Sequence, residues 1–255
     1  MTKTTLTAIV PMRHSSERVI GKNYRPLGGM PLYAHVVRTL LECPSIDRVI
    51  VDTDSPTIRD QCAVEFPSVT VIERPEHLRD GNTPMNDVLL NTVEQAESDL
   101  YLQTHSTNPL ISAETIETAI ATFRAARGRN DSLFGVTRLQ QRLWDAATQP
   151  VNHDPAVLAR TQDLSPIFVE NSTLYLFTRD SLTAAGNRIG RTPMMFEVDK
   201  IEAHDIDDEA DFALAEMLYL QRQQQAMQAV RTPDIKPEPK PKRASAPRAR
   251  KRKAA

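Results

Sequence analysis

The sequence contains neither GxxxxGK(S/T) nor GxGxxG, so the two commonest phosphate-cradling motifs are absent and any nucleotide chemistry must be built from other residues. Cysteine is scarce. Cys43 and Cys62 are the only two, and they lie far from any CxxC or His-rich spacing. This argues against a structural zinc site and for a reducing cytoplasm, with small buried apolar side chains as their expected role. Nowhere do about eighteen apolar residues run together. The first residues carry Lys3 but no apolar stretch of signal length, so neither a membrane span nor export is expected.

What is present is 255 residues of ordinary globular composition as far as residue 230, enough for one substantial α/β domain with an elaboration, or for two small domains. The net charge of −2 hides an asymmetry. Residues 231–255 hold ten Lys or Arg against Asp234 and Glu238, a net +8 that leaves −10 on residues 1–230. The same segment has five prolines and few large apolar residues. Burial therefore cannot offset the entropy of ordering it, and it is expected to be a disordered basic tail. Such a tail offers a nonspecific contact to nucleic acid or another polyanion through counterion release.

Strand patterns alternate with helical ones through the first half, the signature of βαβ units and a parallel sheet. Strands are expected over 7–11, 47–52, 68–73 and 99–103, and helices over 32–42, 55–65, 85–95 and 112–127. Pro56 suits a first helical turn. Ser112 is a cap candidate, with Thr115 rather than Glu at the box position. From Leu133 the rhythm changes. Residues 133–138 and 172–177 read as strands separated by Trp144, Pro150, Asn152, Pro155 and Pro166 with little helical period, which predicts a small antiparallel insertion over about 133–195. A short strand over 201–206 and a helix over 208–224 follow. The fold expected is α/β with a mostly parallel, doubly wound sheet.

Two segments carry chemistry. In the first, residues 8–23 (AIVPMRHSSERVIGKN), an apolar run short enough to be a buried strand empties into a loop bearing Arg13, Ser15, Ser16, Arg18, Gly21 and Lys22. A turn, Leu27-Gly-Gly-Met-Pro-Leu32, then leads into a helix. Ligands of open α/β sheets bind at the carboxyl ends of the strands, so cations and hydroxyls on such a loop point to a polyphosphate. In the second, Asp205 and Asp207 flank Ile206. On a strand the two carboxylates would share one face about 7 Å apart, a pair suited to Mg2+ completed by waters and substrate phosphates. Asp208, Glu209 and Asp211 read as cap and dipole partners of the next helix.

The first loop resembles that of the sugar-activating cytidylyltransferases, most closely the acylneuraminate (CMP-sialic acid synthetase) type, through Arg13, Ser16, Lys22 and Asn23. The related Kdo enzymes are partly matched by Ser16, Arg18, Gly21 and Lys22. Asp205-Ile-Asp207 followed by Asp211-Phe-Ala-Leu-Ala-Glu216 resembles the family's carboxyl-terminal motif. Between the two, Asp52-Thr-Asp-Ser55, Arg74-Pro-Glu-His-Leu-Arg-Asp80 and Thr83-Pro-Met-Asn-Asp-Val-Leu-Leu90 are similar to family segments. Leu102-Gln-Thr-His-Ser-Thr-Asn-Pro-Leu110 departs from the family's Leu-Gln-Pro-Thr-Ser-Pro-Leu. Either His105 occupies the family's glutamine position, or Gln103 does and two residues are inserted. A histidine there could act as general base at neutral pH, whereas a glutamine only orients. Trp144 and Asn171-Ser-Thr-Leu-Tyr175 correspond to the family's aromatic and its Asn-Gly-Ala-x-Tyr strand.

The resemblance covers about residues 6–220. It implies a Rossmann-like nucleotidyltransferase domain over 1–230 whose insertion serves dimerisation and sugar binding. It implies CTP as donor, an acidic nonulosonate-type sugar as acceptor and pyrophosphate as the second product. Arg13, Ser15, Ser16, Lys22, Asn23, Arg74 and Asn82 become nucleotide contacts, with Arg13 and Lys22 holding the triphosphate. Gln103, His105, Arg138, Arg142, Arg160 and Asn171 become sugar contacts, and Asp205 and Asp207 the Mg2+ ligands. A homodimer is implied. Kdo, another ulosonic acid or a phosphonate stand as alternative acceptors. Outside this class stands a non-catalytic polyanion-binding protein acting through the basic tail.

Overall fold

The computed structural model describes residues 4–16 and 18–231. The chain opens on β1 (Leu6–Met12), all seven residues of which are buried, followed by a 3-10 turn at Lys22–Tyr24. A small hairpin comes next, β2 (Pro26–Leu27) and β3 (Met30–Pro31), with Gly28 and Gly29 at φ 57° and 86°, the positive angles that a two-residue hairpin of the primed type requires. Four helix and strand pairs complete the first half. They are α1 (Leu32–Leu41) and β4 (Arg48–Thr53), α2 (Pro56–Glu65) and β5 (Thr70–Glu73), α3 (Met85–Gln95) and β6 (Leu100–Thr104), then α4 (Ala113–Ala126) and β7 (Ser132–Leu139). A long connection leads to β8 (Ile167–Phe177), then α5 (Arg179–Ala185), β9 (Pro193–Glu197) and α6 (Glu209–Arg231).

The sheet order is β5-β4-β1-β6-β8-β7-β9. β1 pairs in parallel with β4 and β6, β4 with β5, and β7 with β9, while β8 alone runs against its neighbours β6 and β7. β1 is covered on both faces, which is why it reads as a continuous apolar run rather than an alternating one. Its Ala8 and Val10 pack with α1 and α4, and its Ile9 with Leu89 and Val93 of α3. The expected α/β doubly wound sheet is therefore present. The strands read within 133–195 belong to this same sheet, and α5 and β9 add to them.

Local signals set the boundaries. The Ser55 side chain accepts from Ile58 N with Pro56 in the first turn of α2, and Ser112 accepts from Thr115 N at α4, as their types predict. Thr178 and Ser181 form a reciprocal capping box at α5. Cys43 and Cys62 are buried and free. One expectation fails. Residues 201–206 form turns and loop, not a strand, and the Ile206 N–H donates to Thr107 O. Ile206 is drawn instead into an apolar cluster with Val19, Leu27, Leu32, Phe212 and Ala215, which anchors the loop without a neighbouring strand. Asp208 and Asp211 do serve as caps: Asp208 Oδ1 accepts from Ala210 N and Asp211 N, and Asp211 Oδ2 from Asp207 N and Asp208 N.

The chain divides into a compact unit ending at Leu220 and a second beginning at Gln221, whose described part is the end of α6. Apart from Arg231, the basic tail lies outside the described residues. No helix among the described residues is long and apolar enough to cross a membrane.

The hairpin gives a measurable test. A Cβ on Gly28 would stand 2.4 Å from Cε1 of Tyr219, whereas one on Gly29 meets nothing within 4 Å. Gly29→Ala is expected to lose the left-handed backbone cost alone, roughly 1–2 kcal/mol. Gly28→Ala should lose more by displacing Tyr219, so equal urea midpoints for the two variants would contradict this account.

Candidate functional site

A cavity of about 660 Å³ opens beyond the carboxyl ends of β1 and β6. It is lined among others by Arg13, Ser15, Ser16, Lys22 and Asn23 from the first loop, Arg74 and Asn82 from the segment after β5, His105, and Asp205 and Asp207. Sequence-distant candidates thus converge in one place, at the crevice where an open α/β sheet binds its ligands. The first loop is held to a fixed course. Asn23 is buried, its Nδ2 donating to Arg13 O at 2.8 Å and its Oδ1 accepting from Ser106 Oγ at 2.8 Å. Gly21 turns the chain at φ 66°, where a Cβ would lie 2.7 Å from the Tyr24 ring.

Charge dominates the far wall. Lys22 Nζ donates to Ile206 O at 2.6 Å. Burial pulls the Lys22 ammonium below the usual lysine range, opposed by Asp205 and Asp207 and reinforced by Arg18. Arg18 Nη2 lies 2.6 Å from Asp207 Oδ1 in an exposed pair. Asp205 is pushed the other way. Burial raises its pKa, and the charge of Asp207 adds to that, against a hydrogen bond from Thr107 and the charge of Lys22. Its Oδ1 is buried without a hydrogen-bond partner among the described residues. An orphaned carboxylate oxygen beside a second carboxylate suits a hard cation. Since no group of three or more His, Cys, Asp or Glu suited to a metal occurs among the described residues, such a cation would need waters and substrate phosphates to complete its shell, the habit of Mg2+.

Arg74 reaches the cavity, but most of its guanidinium is engaged. It is 2 % exposed, its Nε donates to Asp52 Oδ1 at 2.6 Å and its Nη2 to Asp52 O at 3.2 Å, while Thr92 Oγ1 donates to Asp52 Oδ2. It braces β4 against the loop after β5, so whatever it offers a nucleotide is secondary. Asn82 sits in a turn with its backbone N–H on Asp80 Oδ1.

Of the residues assigned to the sugar, only His105 lines the cavity. Gln103 is fully buried on β6. Arg138 borders a separate groove with Glu197 and Lys200. Arg142 donates to Ala159 O, Arg160 pairs with Asp163 at 2.7 Å, and Asn171 donates to Thr137 Oγ1. The Arg142, Arg160 and Asn171 side chains are committed to local partners within the chain, and none of these three nor Arg138 lines the cavity. Trp144 is half exposed and stacks edge-on to His153.

Two residues near His105 were not among the candidates. Arg188 lies over the Tyr175 ring at 3.6 Å and donates through Nη1 to Gln103 Oε1 at 2.6 Å. Its only sequence signal is a turn, Asn187-Arg-Ile-Gly190, in which Asn187 Oδ1 accepts from Ile189 N and Gly190 N. Ser172 lines the cavity at φ 56°, a left-handed angle that costs a serine roughly 1–2 kcal/mol, and its Oγ lies 3.3 Å from the Tyr175 hydroxyl oxygen. Strain of this kind collects at functional sites.

Comparison with known proteins bears on this arrangement. The family described as "Cytidylyltransferase" matches residues 7–236. Among relatives, N-acylneuraminate cytidylyltransferase A of Danio rerio is 25 % identical over 222 residues, 84 % of this chain and 51 % of that protein. The chain therefore spans about half the length of that relative. CMP-N,N'-diacetyllegionaminic acid synthase of Legionella pneumophila is 24 % identical over 224 residues, 84 % of this chain and 95 % of that protein. Among solved structures, CMP:2-keto-3-deoxy-manno-octonic acid synthetase complexed with CTP shares the fold, with a TM-score of 0.62 at 17 % identity, covering 87 % of this chain and 100 % of that one. The resemblance read from the two end motifs is borne out over nearly the whole of the described chain, and the chain belongs to the cytidylyltransferase family.

Proposed function

We propose that this chain transfers CMP from CTP to an acidic sugar of the nonulosonate type and releases pyrophosphate. The observation that carries the reading is the cavity at the carboxyl ends of the parallel strands, which Arg13, Ser15, Ser16 and Lys22 line together with Asp205 and Asp207. An acceptor hydroxyl oxygen attacks the α-phosphorus, the bond from that phosphorus to the β-phosphate oxygen breaks, and the hydroxyl proton leaves to solvent. Arg13 and Lys22 position the triphosphate by charge-assisted contacts. Positioning and electrostatics supply the acceleration, with no covalent intermediate on the protein. Asp205 and Asp207 would hold Mg2+, which when bound neutralises charge building on the departing pyrophosphate.

The acceptor class is supported by the acylneuraminate and legionaminate relatives, both matched over most of this chain. Exposed Leu158, Val157, Phe168 and Val169 in and beside the connection before β8 support self-association there, the homodimer being part of this proposal. The basic tail is assigned a salt-sensitive, nonspecific contact with polyanions.

Three measurements test these points. Pyrophosphate release is expected with CTP and a nonulosonate sugar, at a rate well above that with ATP, GTP or UTP, or with Kdo. Preference for Kdo would move the acceptor, and no release with any pair would favour a polyanion-binding protein. Asp205→Asn is expected to lower turnover roughly 10²–10³-fold and at the same time to raise the melting temperature of the metal-free protein at neutral pH. The sign follows from the raised pKa of Asp205. Its ionised form is less favourable folded than unfolded, a penalty that disappears when the charge is removed or when the pH falls through the folded-state pKa. A less stable Asp205→Asn protein would contradict this assignment. Removal of the chain after residue 230 is expected to leave CTP turnover intact and to abolish retention on nucleic acid at low salt. Loss of turnover in a folded truncated protein would place the tail in the site.

A further inference from the structure

Arg188 is a largely buried cation with no carboxylate in direct contact among the described residues, although the charge of Glu170 acts on it. It stands on the turn after α5 and presents its guanidinium to three groups, none of them a carboxylate. These are the Tyr175 ring face at 3.6 Å, Gln103 Oε1 at 2.6 Å and His105 Nε2 at 3.4 Å, the last two both reached from Nη1. The Nη1 of a guanidinium carries two hydrogens and accepts none, so both contacts are donations from Arg188. The His105 contact therefore fixes a tautomer. Nε2 carries the lone pair and Nδ1 carries the hydrogen.

From this geometry we infer that Arg188 is a positioning residue that locks His105 as the neutral Nδ1–H tautomer, making the imidazole a hydrogen-bond donor to substrate oxygen and removing it as general base. The inference deepens the proposed transferase reading and rests on it for the word substrate. The one lone pair through which a neutral imidazole takes up a proton is already occupied by an arginine hydrogen, and protonation at Nε2 would set two cations against each other. The charged groups acting on His105 are Arg188, from the turn after α5, and Lys22, from the first loop, and both are positive. Asp205 and Asp207 lie on the Lys22 side and act on that lysine, and Glu170 is engaged with the Tyr175 hydroxyl. Burial acts in the same direction as the two cations, and together they push the His105 pKa down to about 3. Gln103 is fixed by the same guanidinium, its Nε2 donating to Thr104 O at 3.1 Å. The two side chains competing for the family's glutamine position are thus held by one arginine: the amide of Gln103 has no basic site, and the lone pair of His105 is occupied. The loss of the acceptor proton is left to solvent or to another group.

The decisive measurement is long-range nitrogen–proton NMR on the full-length protein without nucleotide, with His105 assigned through His105→Gln. The expected result is a protonated Nδ1, an unprotonated Nε2 and no titration of this ring between pH 8 and pH 5. Arg188→Gln should release the lock, so that the two neutral tautomers mix, while burial, the largest cause of the low His105 pKa, remains. Arg188→Lys, which keeps a cation and a donor, should restore the single Nδ1–H tautomer. A wild-type ring protonated at Nε2, or titrating near pH 6.5, overturns the inference whether or not either variant folds. A ring that behaves identically in folded Arg188→Gln also overturns it. A locked ring in a protein that releases no pyrophosphate would leave the lock standing and refute the transferase reading instead.

Discussion

The contact on which the rest of the site depends is that of Lys22 Nζ with the carbonyl of Ile206, at 2.6 Å between residues 184 apart in sequence. It fastens the first loop of the chain to the last loop before α6. Beside it Arg18 meets Asp207, and further out Arg25 meets Glu209 at 2.7 Å and lies over the Phe212 ring at 4.1 Å. The outer pairs are exposed, and exposed ion pairs contribute little. What holds the two segments together is the apolar cluster beneath them, Val19, Leu27, Leu32, Ile206, Phe212 and Ala215. The charges are consequently free to serve a ligand, because the fold does not rely on them for its cohesion.

The opposite wall works in the other way. Asp52 and Arg74 are both buried, and the pair is completed by Thr92 from α3. Removing either partner would strand a buried charge at a cost of about 3–5 kcal/mol, so this wall is rigid and its charge is internally neutral. The cavity therefore has one side whose ions are satisfied within the protein and one side, at Lys22 and Asp205, where burial strains both charged forms in opposite senses. The magnesium–triphosphate complex proposed above would relieve both strains at once, since it would bring anions to the lysine and a cation to the carboxylate.

Around His105 the same economy of groups is visible in a single side chain. Arg188 orders Gln103, His105 and the Tyr175 ring, while Tyr175 in turn reaches Ser172, the strained residue on the cavity floor. Three segments distant in sequence are joined through one guanidinium, whose planar fork can serve several acceptors where an ammonium would act as a point charge.

Much of the fold was legible in the residues themselves. The apolar runs of β1, β4 and β6, the Ser55-Pro56 and Ser112 caps and the Gly28-Gly29 turn act through local sterics and hydrogen bonding, which depend only on neighbours in the chain. The first loop and the Asp205-Ile206-Asp207 segment were legible as candidates from their cations, hydroxyls and paired carboxylates, and the structure brings them to one cavity. Tertiary structure alone decided the rest. Residues 201–206 carry a strand-like pattern, yet Ile206 finds its burial in a cluster rather than beside another strand. Arg74 carries a ligand-like charge, yet Asp52 reaches it first. Arg188 shows nothing in sequence beyond a turn, and its importance arises only when β6, β8 and the turn after α5 meet. Local structure is written in short-range preferences. Which charge finds a partner and which is left for a ligand is settled by long-range proximity and burial.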